Sequence, residues 1–70
     1  GGNMSCIVNA ANEIVNAGFR KGECGFLQMA DIIEKTMAKA TFDSNPDLDV
    51  YLQTDAEARR IVTELMKVNG

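Results

Sequence analysis

Apolar residues return at three- and four-residue intervals through most of this chain, and no segment alternates polar with apolar over a strand's length. That spacing buries one side of a helix and leaves a sheet nothing to build on. Ile7, Ala10, Ala11, Ile14, Val15 and Gly18 fall on one side of a helix over residues 4–20, and Asn9, Asn12, Glu13 and Asn16 fall on the other. A second stripe, Met29, Ile32, Ile33, Thr36, Met37 and Ala40, predicts a helix over 29–40. Leu48, Tyr51 and Leu52 give a short helical turn at about 46–52, and Ala58, Ile61, Val62 and Leu65 mark a last helix from Thr54 to Asn69-Gly70. The expected fold is all-α: a small bundle of three main helices plus one short helix, without a sheet, as a single domain over residues 1–70.

Local signals set the expected helix ends. Asn3 reads as an N-cap for the first helix, and Gly22 and Gly25 punctuate the loop after it. Phe26 and Leu27, just before the second helix, would pin the entering chain against the core, with Asp31 and Lys39 serving that helix's dipole. Asn45-Pro46-Asp47 reads as cap and first turn of the short helix. Thr54-Asp55-Ala56-Glu57 has the form of a capping box.

Seventy residues bury roughly 60% of the unfolded chain's surface, enough for one core. Seven Lys and Arg against ten Asp and Glu, the basic residues scattered, leave no electrostatic footprint for nucleic acid. No apolar run reaches the length of a membrane span, no polybasic cluster marks a lipid surface, and Gly1-Gly2-Asn3 does not open a secretory signal. The absence of an initiator Met suggests a processed product or a piece of something longer. Cys6 and Cys24 are the only thiols and read as free in a reducing compartment; there is no histidine. Zinc-type ligand pairs are absent, as is the base for a Ser-His or Cys-His nucleophile.

Four remaining features were candidates for function. The acidic run Asp43 to Asp49 has Leu48 and Thr54 where a calcium loop needs Gly and Glu, so it reads as a helix-capping turn. The glycines match neither a dinucleotide nor a Walker phosphate loop. Met4, Met29, Met37 and Met66 could line a groove for partner helices, although Met29 and Met37 lie on a core stripe. Asn9, Asn12 and Asn16 are poor helix formers on one face, which fits either a solvated surface or a docked one whose amides donate and accept at once.

At these residues the chain resembles a family. Gly1-Gly2-Asn3 followed by Asn9-Ala10-Ala11-Asn12-Glu13 is similar to the opening of the C-terminal domain of the 1-deoxy-D-xylulose 5-phosphate reductoisomerases. The similarity continues through Phe19, Gly22 and Phe26-Leu27 to Ile32-Ile33-Glu34. It resumes at Thr54-Asp55-Ala56-Glu57-Ala58-Arg59-Arg60, where the family carries an Asp-Ala-x-Ala-Arg pattern. Cys24, Gly25, Gln28 and Ala30 depart from the family's usual residues. The resemblance implies a non-catalytic supporting domain of an oxidoreductase in non-mevalonate isoprenoid biosynthesis. Such an enzyme converts 1-deoxy-D-xylulose 5-phosphate to 2-C-methyl-D-erythritol 4-phosphate with NADPH and a divalent metal, Mg or Mn, typically as a cytoplasmic homodimer. Its cofactor, metal and phosphate residues lie in preceding domains and none maps here, so no catalytic, cofactor-binding or metal residue is expected in this chain. The expected partners are the upstream catalytic and NADPH-binding domains, met through Asn9, Asn12, Glu13 and Asn16. A free-standing acidic helical interaction module is the alternative.

Overall fold

The computed structural model describes residues 2–69 and contains three helices: α1 (Met4–Arg20), α2 (Phe26–Lys39) and α3 (Leu48–Asn69). Gly1 and Gly70, assigned above to the opening tripeptide and to the stop of the last helix, lie outside the described residues. Asn3 meets Thr54, Glu13 meets Arg59, and Gly18 faces Met66, so α1 and α3 run parallel and in direct contact, with α2 antiparallel and packed against both. The molecule is a rod of 35 × 17 × 17 Å. No strand occurs among the described residues, and no helix is long and apolar enough to cross a membrane.

The expected stripes form the core. Ala11, Val15, Cys24, Ile32 and Val62 make one buried cluster, and Ile7, Ala10, Ala40 and Ala58 a second, nearer the N-terminal end of α1. Met29 and Met66 pack on the first cluster and Met4 on the second, whereas Met37 is exposed, so the four methionines do not gather into one groove. Both thiols are free; Cys24 donates to the Val15 carbonyl inside the core. α1 ends in a Schellman turn: the Glu23 amide bonds Gly18 O at 2.8 Å and the Gly22 amide bonds Phe19 O at 3.1 Å. Gly22 takes φ +78° there, a conformation costly for any residue with a Cβ.

Several local expectations are corrected. The short helix and the last helix are one continuous α3, because its cap is Asp47, whose Oδ1 accepts the Val50 amide at 2.9 Å. Neither Asn45 nor Thr54 caps it. Thr54 is buried in mid-helix, and Glu57 turns away to accept from the Thr41 amide at 2.6 Å, so the box sequence makes tertiary bonds instead. α2 begins three residues earlier than expected, at Phe26, with the Gln28 Oε1 accepting the Gly25 amide at 2.7 Å. Phe26 and Leu27 thus occupy its exposed first turn and do not pin the chain to the core; Phe26 meets Phe19 edge to face, centroids 6.1 Å apart. Asp31 lies beyond the first turn and pairs with Lys35 at 3.0 Å.

Candidate functional site

The polar residues of the two conspicuous motifs converge on two places. The first is Asn3, which has no exposed surface at all. Its side chain does not cap α1. The Nδ2 group donates to the Thr41 carbonyl at 2.9 Å and to Thr54 Oγ1 at 2.8 Å, while Oδ1 accepts the Asp43 amide at 2.8 Å. A carboxamide is suited to this position because it donates twice and accepts from one planar group. It ties the start of α1 to the loop before α3 and to α3 itself.

The second place is the surface where α1 meets α3. Arg59 donates from Nη2 to Glu13 Oε2 at 3.0 Å and from Nε to Asp55 Oδ2 at 2.9 Å. Two carboxylates share one guanidinium, whose ionisation is pushed further above its ordinary value by those hydrogen bonds, Glu13 first. Two turns toward the N-terminal end, Cys6 Sγ lies 3.6 Å from the Tyr51 carbonyl. Its thiol is raised above its usual range, chiefly by burial and then by the Asp55 carboxylate, with Arg59 opposing.

Of the four residues read as a docking face, only Glu13 is joined to another helix. Asn12 and Asn16 hold each other: Asn16 Nδ2 donates to the Asn12 carbonyl at 2.7 Å and to its Oδ1 at 3.0 Å. Asn9 is exposed, as are Asn12 and Glu13, and Asn16 is half-buried. Sequence reading missed Arg59 as the hub, although the four-residue step from Asp55 to Arg59 is a legible helical ion pair. It missed Asn3 as a buried clamp because its position before a helix reads locally as a cap. Among the described residues no three Cys, Asp or Glu side chains converge as metal ligands.

Three helices, two of them parallel and cross-linked by a shared guanidinium, define a small helical module whose motif residues hold its own helices together. The chain belongs to the DXP reductoisomerase C-terminal domain family, whose model matches residues 1–61. It is 59% identical over 66 residues to the 1-deoxy-D-xylulose 5-phosphate reductoisomerase of Bacteroides thetaiotaomicron, and 46% identical over 66 residues to that of Listeria monocytogenes. It is also 51% identical over 65 residues to the enzyme of that name from Phocaeicola vulgatus. These alignments cover 93–94% of this chain but only 17% of each relative. No solved structure matches the chain.

Proposed function

We propose that this chain acts as the C-terminal helical domain of a longer 1-deoxy-D-xylulose 5-phosphate reductoisomerase, supporting the catalytic part without supplying catalytic groups. In this reading the whole enzyme works in the cytoplasm as a homodimer, rearranging and reducing its substrate with NADPH and a divalent metal for isoprenoid synthesis. The residues present here do not fit either group, and no step is assigned to them. The chain has no histidine, and among the described residues there are no convergent metal ligands and no strand leading into a glycine-rich turn. The observation that carries the reading is the commitment of Asn3, Glu13 and Arg59 to bonds between this domain's own elements, with Asp55 holding Arg59 in place within α3. Residues so held build a rigid body; Asn9, Asn12, Glu13 and Asn16 then present polar groups to the upstream domains.

A segment exchange tests this. The B. thetaiotaomicron enzyme lacking its matched segment is compared with a chimera in which this chain replaces it. The chimera should melt higher than the truncated enzyme and restore substrate-dependent NADPH oxidation, and the isolated chain should oxidise none. Turnover by the isolated chain would overturn the non-catalytic reading. A chimera no more stable or active than the truncated enzyme would overturn the supporting one.

A further inference from the structure

We infer that the domain's main docking surface is the joined face of α1 and α3, anchored by Leu48 and Leu52, and that its occupant is the polypeptide preceding this domain in the longer family members. The inference rests on the reading of the chain as a domain of such a protein. It shifts the weight of docking from the asparagine face to an apolar stripe beside it.

Leu48 and Leu52 stand one helical turn apart on α3 and are 72% and 63% exposed. Asp55 and Arg59 continue the same line up the helix. On α1, Cys6, Asn9 and Glu13 form the neighbouring line, brought alongside by the Cys6–Tyr51 and Glu13–Arg59 contacts. The result is a continuous surface with apolar anchors at one end and a rim of amides and paired charges, the anatomy of a protein interface. Single exposed leucines are ordinary, but two on one stripe flanked by Tyr51 make a patch.

The occupant follows from where the patch sits. Asn3 is bonded to Thr41, Asp43 and Thr54, so a polypeptide leading into α1 arrives at the end of the rod that carries Leu48 and Leu52, two residues before Thr54. The relatives carry 83% of their length outside the matched region, and the family is named as a C-terminal domain. A second copy of this chain is a poorer occupant. Two-fold pairing centred on the two leucines would gather the neighbouring Asp47, Asp49 and Asp55 of both copies at one interface, like charge beside like. Of the other exposed apolar residues, Phe19, Phe26 and Leu27 lie at the far end of the rod from that entry, whereas Phe42 stands beside Gly2 at the entry itself.

Hydroxyl-radical footprinting of the isolated chain and of the chimera described above tests the assignment. Leu48 and Leu52 should lose at least about fivefold of their oxidation rate in the chimera, while Leu27 stays reactive, since radical attack follows exposure. Unchanged rates at Leu48 and Leu52 with protection elsewhere would overturn this surface and leave the supporting role standing. No protection at any residue would overturn both. Protection of the two leucines in the isolated chain that grows with its concentration would assign the stripe to a second copy and overturn the inference.

Discussion

Replacing Asn3 by Ala removes a fully buried carboxamide and its three hydrogen bonds, two given and one received. Each such bond contributes about 1 kcal/mol net, and a donor or acceptor left unpaired in a buried site costs a further ~1–3 kcal/mol. The partners here are not equally exposed to that penalty. Thr41 is at the surface and Asp43 is half-buried, so water can replace Asn3 at both. Thr54 is buried, but its hydroxyl can rotate to donate to a carbonyl one turn back in α3. The three lost bonds therefore dominate, and Asn3→Ala should cost about 3 kcal/mol.

A chain of this length has a total stability of roughly 4–10 kcal/mol, so that loss is a large share of it. Thermal unfolding followed by circular dichroism should show Tm falling by roughly 12–24 °C. Urea midpoints should drop by about 3 M for a slope near 1 kcal/mol per molar. Thr54→Val removes one acceptor of the clamp and should cost about 1 kcal/mol, with a coupling of similar size in the double-mutant cycle. Asn3→Asp gives a sharper check. Its carboxylate keeps the bond from Asp43 but loses the proton needed at the Thr41 carbonyl, and burial raises its pKa above the unfolded value near 3.9. A raised folded pKa stabilises below the unfolded pKa and is lost as pH rises through the folded one, so the deficit relative to the parent should shrink from pH 7 toward pH 4. An Asn3→Ala chain within about 0.5 kcal/mol of the parent, or an Asn3→Asp deficit independent of pH, would refute the clamp.

Four further outcomes follow from the same geometry. Gly2→Ala should destabilise by about 1–3 kcal/mol in urea titrations, because φ is +70° and a Cβ there would lie 2.5 Å from the Asp43 carbonyl oxygen. Gly18→Ala should be near neutral by the same measurement: roughly 1 kcal/mol of helix propensity is offset by displacing Met66 Sδ, 2.8 Å from the new Cβ, whereas Gly18→Val should cost about 1–3 kcal/mol. Asp47→Ala removes the α3 cap and should cost about 1 kcal/mol, with hydrogen exchange rising first at the Val50 amide. Cys6 should react with a disulfide reagent more slowly at pH 8 than a free thiol, since burial and then Asp55 raise its pKa; Asp55→Asn should move the half-maximal rate to lower pH and Arg59→Gln to higher pH.

What could be read from sequence was whatever depends on neighbours within one helix. The stripe Ile7, Ala10, Ala11, Val15 fixes α1 and its buried side, and Ala58 and Val62 do the same for α3. The failures share one physical cause: a local motif is a set of hydrogen-bonding groups, and tertiary partners compete for them. Thr54 and Glu57 have the spacing of a capping box, but Asn3 and Thr41 hold their side chains, and with Asp47 capping upstream the helix runs through them. Asn3 is lost as a cap for the same reason. The Glu13–Arg59 bond spans 46 residues and leaves no periodic trace. Yet the small residues inside both motifs are the precondition for it. Ala10 and Ala58 pack in one buried cluster, and side chains this short let α1 and α3 approach closely. That approach brings Arg59, already held at Nε by Asp55 one turn away, within reach of Glu13. Ala10 of Asn-Ala-Ala-Asn-Glu and Ala58 of Asp-Ala-x-Ala-Arg therefore set the spacing, and the Glu13–Arg59 pair fixes the register, so enlarging Ala58 should break the Glu13–Arg59 bond without touching either residue.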